Sequence, residues 1–314
     1  MPIFTEREQQ KRYNMIKKKV ILSLLALCMA GGIANAQFWG FQAPPQDPSD
    51  PYTLTVGNVS MTIDAGRGAK IMSYKYGDTE MLSQRTWPNQ FGSTFWTSPQ
   101  VEWNWPPIPE YDSRTYSVEK NGENLIMTSQ LTQKLPFRII KEFIPDAAKE
   151  TITINYSIKN EGDAAREVAP WEITRVLNEG VIFFEAPIES IEPAELMPFT
   201  SSKGICWLIP DEAKENRKIN ADGKGWVAYA NNGLLMLKQF TDLKGDLKPA
   251  PKESEIQVYI NGGKTYIEIE SQGAYTMLQP GESLTWTVVW KLMPLKTDAV
   301  PSNKLAKQAK KAAK

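Results

Sequence analysis

From residue 52 onward, apolar and polar residues alternate with a period of two, the pattern of half-buried strands. Residues 52–56 and 59–63 alternate on either side of Gly57-Asn58 and predict a hairpin. In 151–159, Ile152, Ile154, Tyr156 and Ile158 share one face, with Thr151, Thr153, Asn155 and Ser157 on the other. Further strands are predicted at 124–131, 137–144, 181–185, 205–209, 226–229, 234–240, 255–260, 265–270 and 284–292. Turn chemistry separates them: Asn121-Gly122, Glu161-Gly162, Asn232-Gly233, Gly262-Gly263 and Pro280-Gly281. Helical periodicity is missing from the body, and only 305–314 predicts a short Ala/Lys-rich stretch, weakly helical or frayed. Many short strands with tight turns favour a large all-β sandwich or barrel over a parallel α/β sheet.

The N-terminus adds a processing expectation. Lys17, Lys18 and Lys19 precede an apolar run from Val20 to Met29, and Ala34-Asn35-Ala36 supplies a small-x-small site before Gln37. The run is shorter than the ~20 residues that span a bilayer, so 1–36 predicts an export signal and no transmembrane segment after cleavage. Met15 offers a second start, which would leave 1–14 as an upstream extension. The expected organisation is then a Pro-rich lead-in (37–51), a single β-sandwich domain (52–296) and a Lys-rich tail (297–314), in a periplasmic or secreted protein.

Composition narrows the chemistry. Residues 1–36 hold six Lys/Arg and two acids, so the remainder carries 30 basic and 34 acidic side chains. Five of those lysines fall in the last eleven residues, which leaves an acidic body and argues against nucleic acid as a partner. The 314 residues contain no histidine and two cysteines, of which Cys206 alone remains after cleavage. An intrachain disulfide and a Ser/His/Asp triad are thereby excluded from the mature chain, and a zinc site built of the usual ligands is not expected. No Walker loop or dinucleotide fingerprint is present, and no cofactor or metal is expected. A calcium site needs only oxygen ligands and stays open, although no ligand loop of recognisable spacing is present.

Ordered motifs carry a resemblance. Tyr266-Ile-Glu-Ile-Glu-Ser-Gln-Gly followed by Leu278-Gln-Pro-Gly-Glu-Ser-Leu-Thr-Trp resembles the end of galactose-mutarotase-like proteins. Ile154-Asn-Tyr-Ser-Ile-Lys-Asn-Glu-Gly, Ala169-Pro-Trp-Glu-Ile-Thr-Arg and Gly66-Arg-Gly-Ala-Lys-Ile-Met-Ser-Tyr are similar to its earlier strands. With Phe91-Gly-Ser-Thr-Phe-Trp-Thr-Ser-Pro-Gln and Trp103-Asn-Trp-Pro-Pro, the set resembles an uncharacterised bacterial family of that superfamily, across roughly 52–295. The resemblance implies a β-supersandwich that binds a sugar on the concave face of its larger sheet. It also implies a glutamate base, matched in position by Glu270, and a histidine acid near Pro170-Trp171-Glu172. No histidine stands there. Imidazole suits that role because its pKa lies near working pH, so a substitute acid has to be a raised carboxyl, Lys, Arg or Tyr.

The candidate residues follow. Residues 87–111 concentrate aromatics among prolines and read as a stiffened loop, in which Trp96, Trp103 and Trp105 offer indole faces to sugar C–H patches. The competing reading buries those rings as a lid over a sheet. In a strand, Trp171 and Arg175 share a face and Glu172 takes the other, which weakens a Glu172–Glu270 acid/base pair. Tyr266, Glu268 and Glu270 share a face that suits ligand or plain solvent. Arg67 and Arg85 offer guanidinium forks for a carboxylate or a hydroxyl pair, or are ordinary surface arginines. Three functions remain open: an exported carbohydrate-binding protein without catalysis; a carboxylate-based glycoside hydrolase or His-free epimerase with Glu270 as base; a structural envelope protein.

Overall fold

The computed structural model describes residues 50–85, 90–193 and 199–314, with backbone only at 199–202. The expected export signal at 1–36, nearly all of the expected lead-in 37–51, and Trp87 lie outside the described residues. Two ten-stranded antiparallel sheets face each other. The main path of the first runs Tyr52–Val56, Val59–Asp64, Lys70–Tyr76, Ser93–Ser98, Arg166–Leu177, Tyr266–Gln272, Ile256–Ile260 and Arg217–Ala221. The second runs Phe199–Ser202, Ile205–Leu208, Val181–Glu185, Trp226–Asn231, Leu234–Gln239, Ser283–Pro294, Thr151–Asn160, Phe137–Asp146, Asn124–Thr128 and Ser117–Asn121. This is the all-β sandwich that the period-two pattern predicts, and Asn232 and Gly233 both take the positive φ that a two-residue hairpin demands.

The inner faces of the two sheets supply one continuous core. Phe95 stacks on Tyr156 at 4.3 Å between ring centroids, and Tyr74 meets Trp290 edge-on at 5.1 Å. Cys206 packs there as a small apolar residue, fully buried, and burial pushes its thiol up to about 11. Within this apolar layer Glu172 is walled in: Tyr156 Oη donates to Oε1 at 2.5 Å, Trp290 Nε1 to Oε1 at 3.1 Å, and Lys238 Nζ lies 2.7 Å from Oε2.

Two expectations change. Residues 93–98 are a central strand with every residue buried, not part of a loop. Both its faces are covered, so it lacks the alternation that marks a half-exposed strand. At the C-terminus, where a weakly helical or frayed stretch was expected, Asn303–Ala312 is a helix packed on the sandwich. Ser302 caps it, its Oγ accepting from Leu305 N at 3.2 Å. Leu305 and Ala309, four apart on one face, join a buried cluster with Phe183, Trp207 and Trp226 on the outer face of the second sheet. Packing thus holds a helix too short to persist alone. Among the described residues, no helix is long and apolar enough to cross a membrane.

Candidate functional site

Strand register collects the site on the outer face of the first sheet. Trp96 pairs with Trp171, which pairs with Gln272. Four residues along, Arg175 pairs with Glu268, Glu268 with Tyr259, and Tyr259 with Lys218. Cross-strand partners point to the same side, so the outward row carries indoles at one end and tyrosines at the other, with charged groups between. A cleft of about 780 Å³ opens over this row, walled by the segment from Gln100 through Pro109 to Ser113.

Glu270 is the centre of the cleft floor. It is 1% exposed, and its Oε2 accepts from Trp171 Nε1 at 2.9 Å and from Lys218 Nζ at 2.9 Å. Both bonds end on Oε2, which leaves Oε1 without a protein donor among the described residues. Burial raises the Glu270 carboxyl above its ordinary range; Lys218 and the Trp171 bond oppose that rise, and Glu268 adds to it. The Lys218 side chain is 36% exposed, and its ammonium lies 4.9 Å from the centre of the Trp171 ring. Beside this pair, Arg175 Nε donates to Glu268 Oε1 at 2.8 Å while Arg175 Nη1 is buried without a hydrogen-bond partner among the described residues.

The wall is tied down separately. Asp112 Oδ1 accepts from Thr94 Oγ1 and Trp96 Nε1, each at 3.0 Å. Burial works to raise that carboxyl, but Lys70, the Trp96 bond and Arg175 outweigh it and hold it below the usual range. Glu253 reaches across from another loop: its Oε1 accepts from Gln100 N at 2.9 Å and its Oε2 from Gln272 Nε2 at 2.7 Å. Trp103 is buried, its Nε1 donating to Thr97 O at 2.8 Å and its ring 5.6 Å from that of Trp96. Trp105, by contrast, is 69% exposed, with its ring centre 6.3 Å from that of Trp96.

Of the residues singled out in the sequence, Trp96, Trp105, Trp171, Arg175, Tyr266, Glu268 and Glu270 meet in the cleft. Four do not line it. Glu172 faces the inter-sheet core, fully buried and committed to Tyr156, Trp290 and Lys238, so it cannot reach a ligand in the cleft. Trp103 acts as a buried prop, Arg67 pairs with Asp64 at 3.3 Å on the surface, and Arg85 is exposed outside the lining. Sequence reasoning missed Lys218, Tyr259 and Asp112. Tyr259 was legible, since it alternates with buried Val258 and Ile260; the strand Arg217–Ala221 carried no strong pattern to mark Lys218. A second groove, of about 450 Å³, lies between Trp207 and the C-terminal helix; it carries Lys203, Lys307 and Lys310, the last 3.0 Å from Glu185 Oε1.

No family model matches the chain, and no curated protein does. Solved structures do match. A galactose mutarotase-like protein from Lactobacillus casei is 10% identical over 78% of this chain and 100% of its own, with a TM-score of 0.57. An Escherichia coli protein provisionally described as an aldose 1-epimerase is 12% identical over 78% and 99%, with a TM-score of 0.56. A galactose mutarotase related enzyme from Lactobacillus acidophilus is 10% identical over 79% and 99%, with a TM-score of 0.51. At such identities the likeness establishes the fold and nothing finer.

Proposed function

We propose that this chain, which has the galactose-mutarotase-like fold, is a carbohydrate-binding protein whose ligand lies in the cleft over Glu270. The observation that carries the reading is the juxtaposition of an open indole, Trp105, with polar groups converging from Glu268, Glu270, Lys218 and Arg175. Sugars need this mixture: flat aromatic surface for their C–H patches and fixed donors and acceptors for their hydroxyls. Glu270 Oε1 would accept from a hydroxyl, and the part-exposed Lys218 ammonium would donate to one. A purely structural role fits less well, since it asks every ring to face inward and Trp105 does not.

Calorimetry against mono- and oligosaccharides tests the reading. Binding that weakens at least about tenfold in both Trp105→Ala and Glu270→Gln supports it. Absence of binding to any glycan at millimolar concentration removes it. We also read 1–36 as a segment lost on export, to be checked by whether the mature protein begins at Gln37.

A second reading makes the same cleft catalytic, and the Glu270–Lys218 contact favours it. Burial moves the Glu270 carboxyl toward the range of a useful base, and Lys218 stands where it could supply a proton without imidazole. Trp171, beside the position at which the histidine was expected, cannot take that role: its indole N–H donates a hydrogen bond but is not an acid in water. Anomer exchange followed by NMR decides between the readings. Exchange that is lost in both Glu270→Gln and Lys218→Met supports catalysis; exchange no faster than in buffer leaves binding alone.

A further inference from the structure

We infer that the cleft is built for a chain of at least two sugar rings, one on each side of the Glu268–Glu270 carboxylates, rather than for a single monosaccharide. The inference rests on the carbohydrate reading above and extends it to the class of ligand. It comes from the distribution of aromatic and charged groups over the floor.

The lining draws on five adjacent strands, Ser93–Ser98 through Arg217–Ala221. Strands lie about 4.8 Å apart, so the floor is roughly 19 Å across. Aromatic groups stand at both ends of a diagonal over that floor. At one end are Trp96 and the open Trp105; at the other, Tyr259 and Tyr266, with ring centres 6.3 Å apart. Trp96 and Tyr259 sit on strands three steps apart, at registers that differ by four residues. Three strand spacings and four residue rises put their backbones roughly 20 Å apart. No single pyranose ring touches both groups.

Between them stand the Arg175–Glu268 pair and the Lys218–Glu270 pair, the latter resting on the Trp171 ring, whose centre is 4.9 Å from the Lys218 ammonium. A compact monosaccharide site would gather its aromatic surface around one polar cluster. Here aromatic groups continue to both ends of the cleft, from Trp105 and Trp96 through Trp171 at the carboxylates to Tyr259 and Tyr266, as a chain with a ring on each side of a central linkage requires. Trp105 reinforces the point. Its indole is exposed at the Trp96 end of the cleft, with its ring centre 6.3 Å from that of Trp96, and is open to a ring of its own. The wall that carries it is anchored by Glu253 and stiffened by Pro106, Pro107 and Pro109, so the ring is held in place for use.

The test is a printed array spanning mono- to hexasaccharides, followed by calorimetry on the best ligand and its shorter homologues. The expected result is that a disaccharide or longer chain binds at least about tenfold more tightly than its component monosaccharide. Trp105→Ala and Tyr259→Ala, at opposite ends, are each expected to bring the chain's affinity down toward that of the monosaccharide. Equal affinity for a monosaccharide and its longer homologues overturns the two-ring inference and leaves carbohydrate binding standing. No binding by any glycan overturns both.

Discussion

At the scale of single residues, the sharpest contrast is between two glutamates on adjacent paired strands that face opposite sides of the sheet. Glu270 keeps one oxygen for the cleft, whereas Glu172 spends both in the core. A buried pair contributes little net stability, yet breaking one partner leaves an uncompensated charge. Lys238→Met should therefore cost about 3–5 kcal/mol, measured by urea unfolding. Adding Glu172→Gln, which keeps an oxygen for Tyr156 and Trp290 but removes the charge, should recover at least half of that. Additive losses would show that the charge was not the cause. Glu255 supplies a pH signature. Burial raises its carboxyl to about 7 from 4.5, although Leu243 N and Gly225 N both donate to it. A raised folded pKa means that the folded state holds the proton more tightly. The contribution is full below about 4.5 and is lost as pH climbs to about 7. Glu255→Gln should flatten the unfolding midpoint over that window; an unchanged slope would assign the pH dependence elsewhere. Which face Glu172 takes was legible in Trp-Glu-Ile-Thr-Arg, but its partners were not. Tyr156, Lys238 and Trp290 are brought to it from the second sheet, by packing that no local pattern encodes.

At the scale of elements, legibility follows exposure. Strands with one face against the core and the other toward solvent, such as Thr151–Asn160, alternate and were predicted nearly to their ends. Ser93–Ser98 is covered on both sides and was hidden inside an aromatic run read as loop. Turns were legible because their chemistry is local. Asn232 and Gly233 sit at φ of 50° and 74° in the hairpin that joins Trp226–Asn231 to Leu234–Gln239. A Cβ added at Gly233 meets nothing within 4 Å, so Gly233→Ala isolates the conformational cost, about 1–2 kcal/mol for a left-handed L-residue. At Gly92, also at positive φ, the added atom would come 2.3 Å from the Ile71 carbonyl oxygen. Gly92→Ala should then lower the melting temperature well beyond Gly233→Ala, because backbone must move as well as strain. Equal losses would mean that the contact with Ile71 is readily relieved. That contact ties the strand carrying Trp96 to the Lys70–Tyr76 strand, so the element and the site are coupled through it.

At the scale of the whole molecule, the two sheets turn their outer faces to different tasks. The first presents the cleft, and the second is covered in part by the Asn303–Ala312 helix. The sequence brought out both halves unevenly. Glu268 and Glu270 could be grouped with Tyr266 because they are neighbours on one strand. Lys218, 52 residues from Glu270, joins them only through the order of strands in the sheet. The separation of faces has a measurable consequence. Leu305 is the helix's deepest apolar anchor, fully buried against the Phe183, Trp207 and Trp226 cluster. Leu305→Ala should destabilise the fold by about 2–5 kcal/mol, since it removes a buried side chain and leaves a cavity. The cleft lies across the sandwich from that cluster and shares none of its lining residues with it. Effects at sites without shared partners add rather than couple. Glycan affinity, measured by calorimetry below the variant's melting transition, should therefore change by less than about twofold. A large loss of affinity in Leu305→Ala would mean that the helix sets the strand order reaching Lys218 and Tyr259, and that the two faces are one cooperative device.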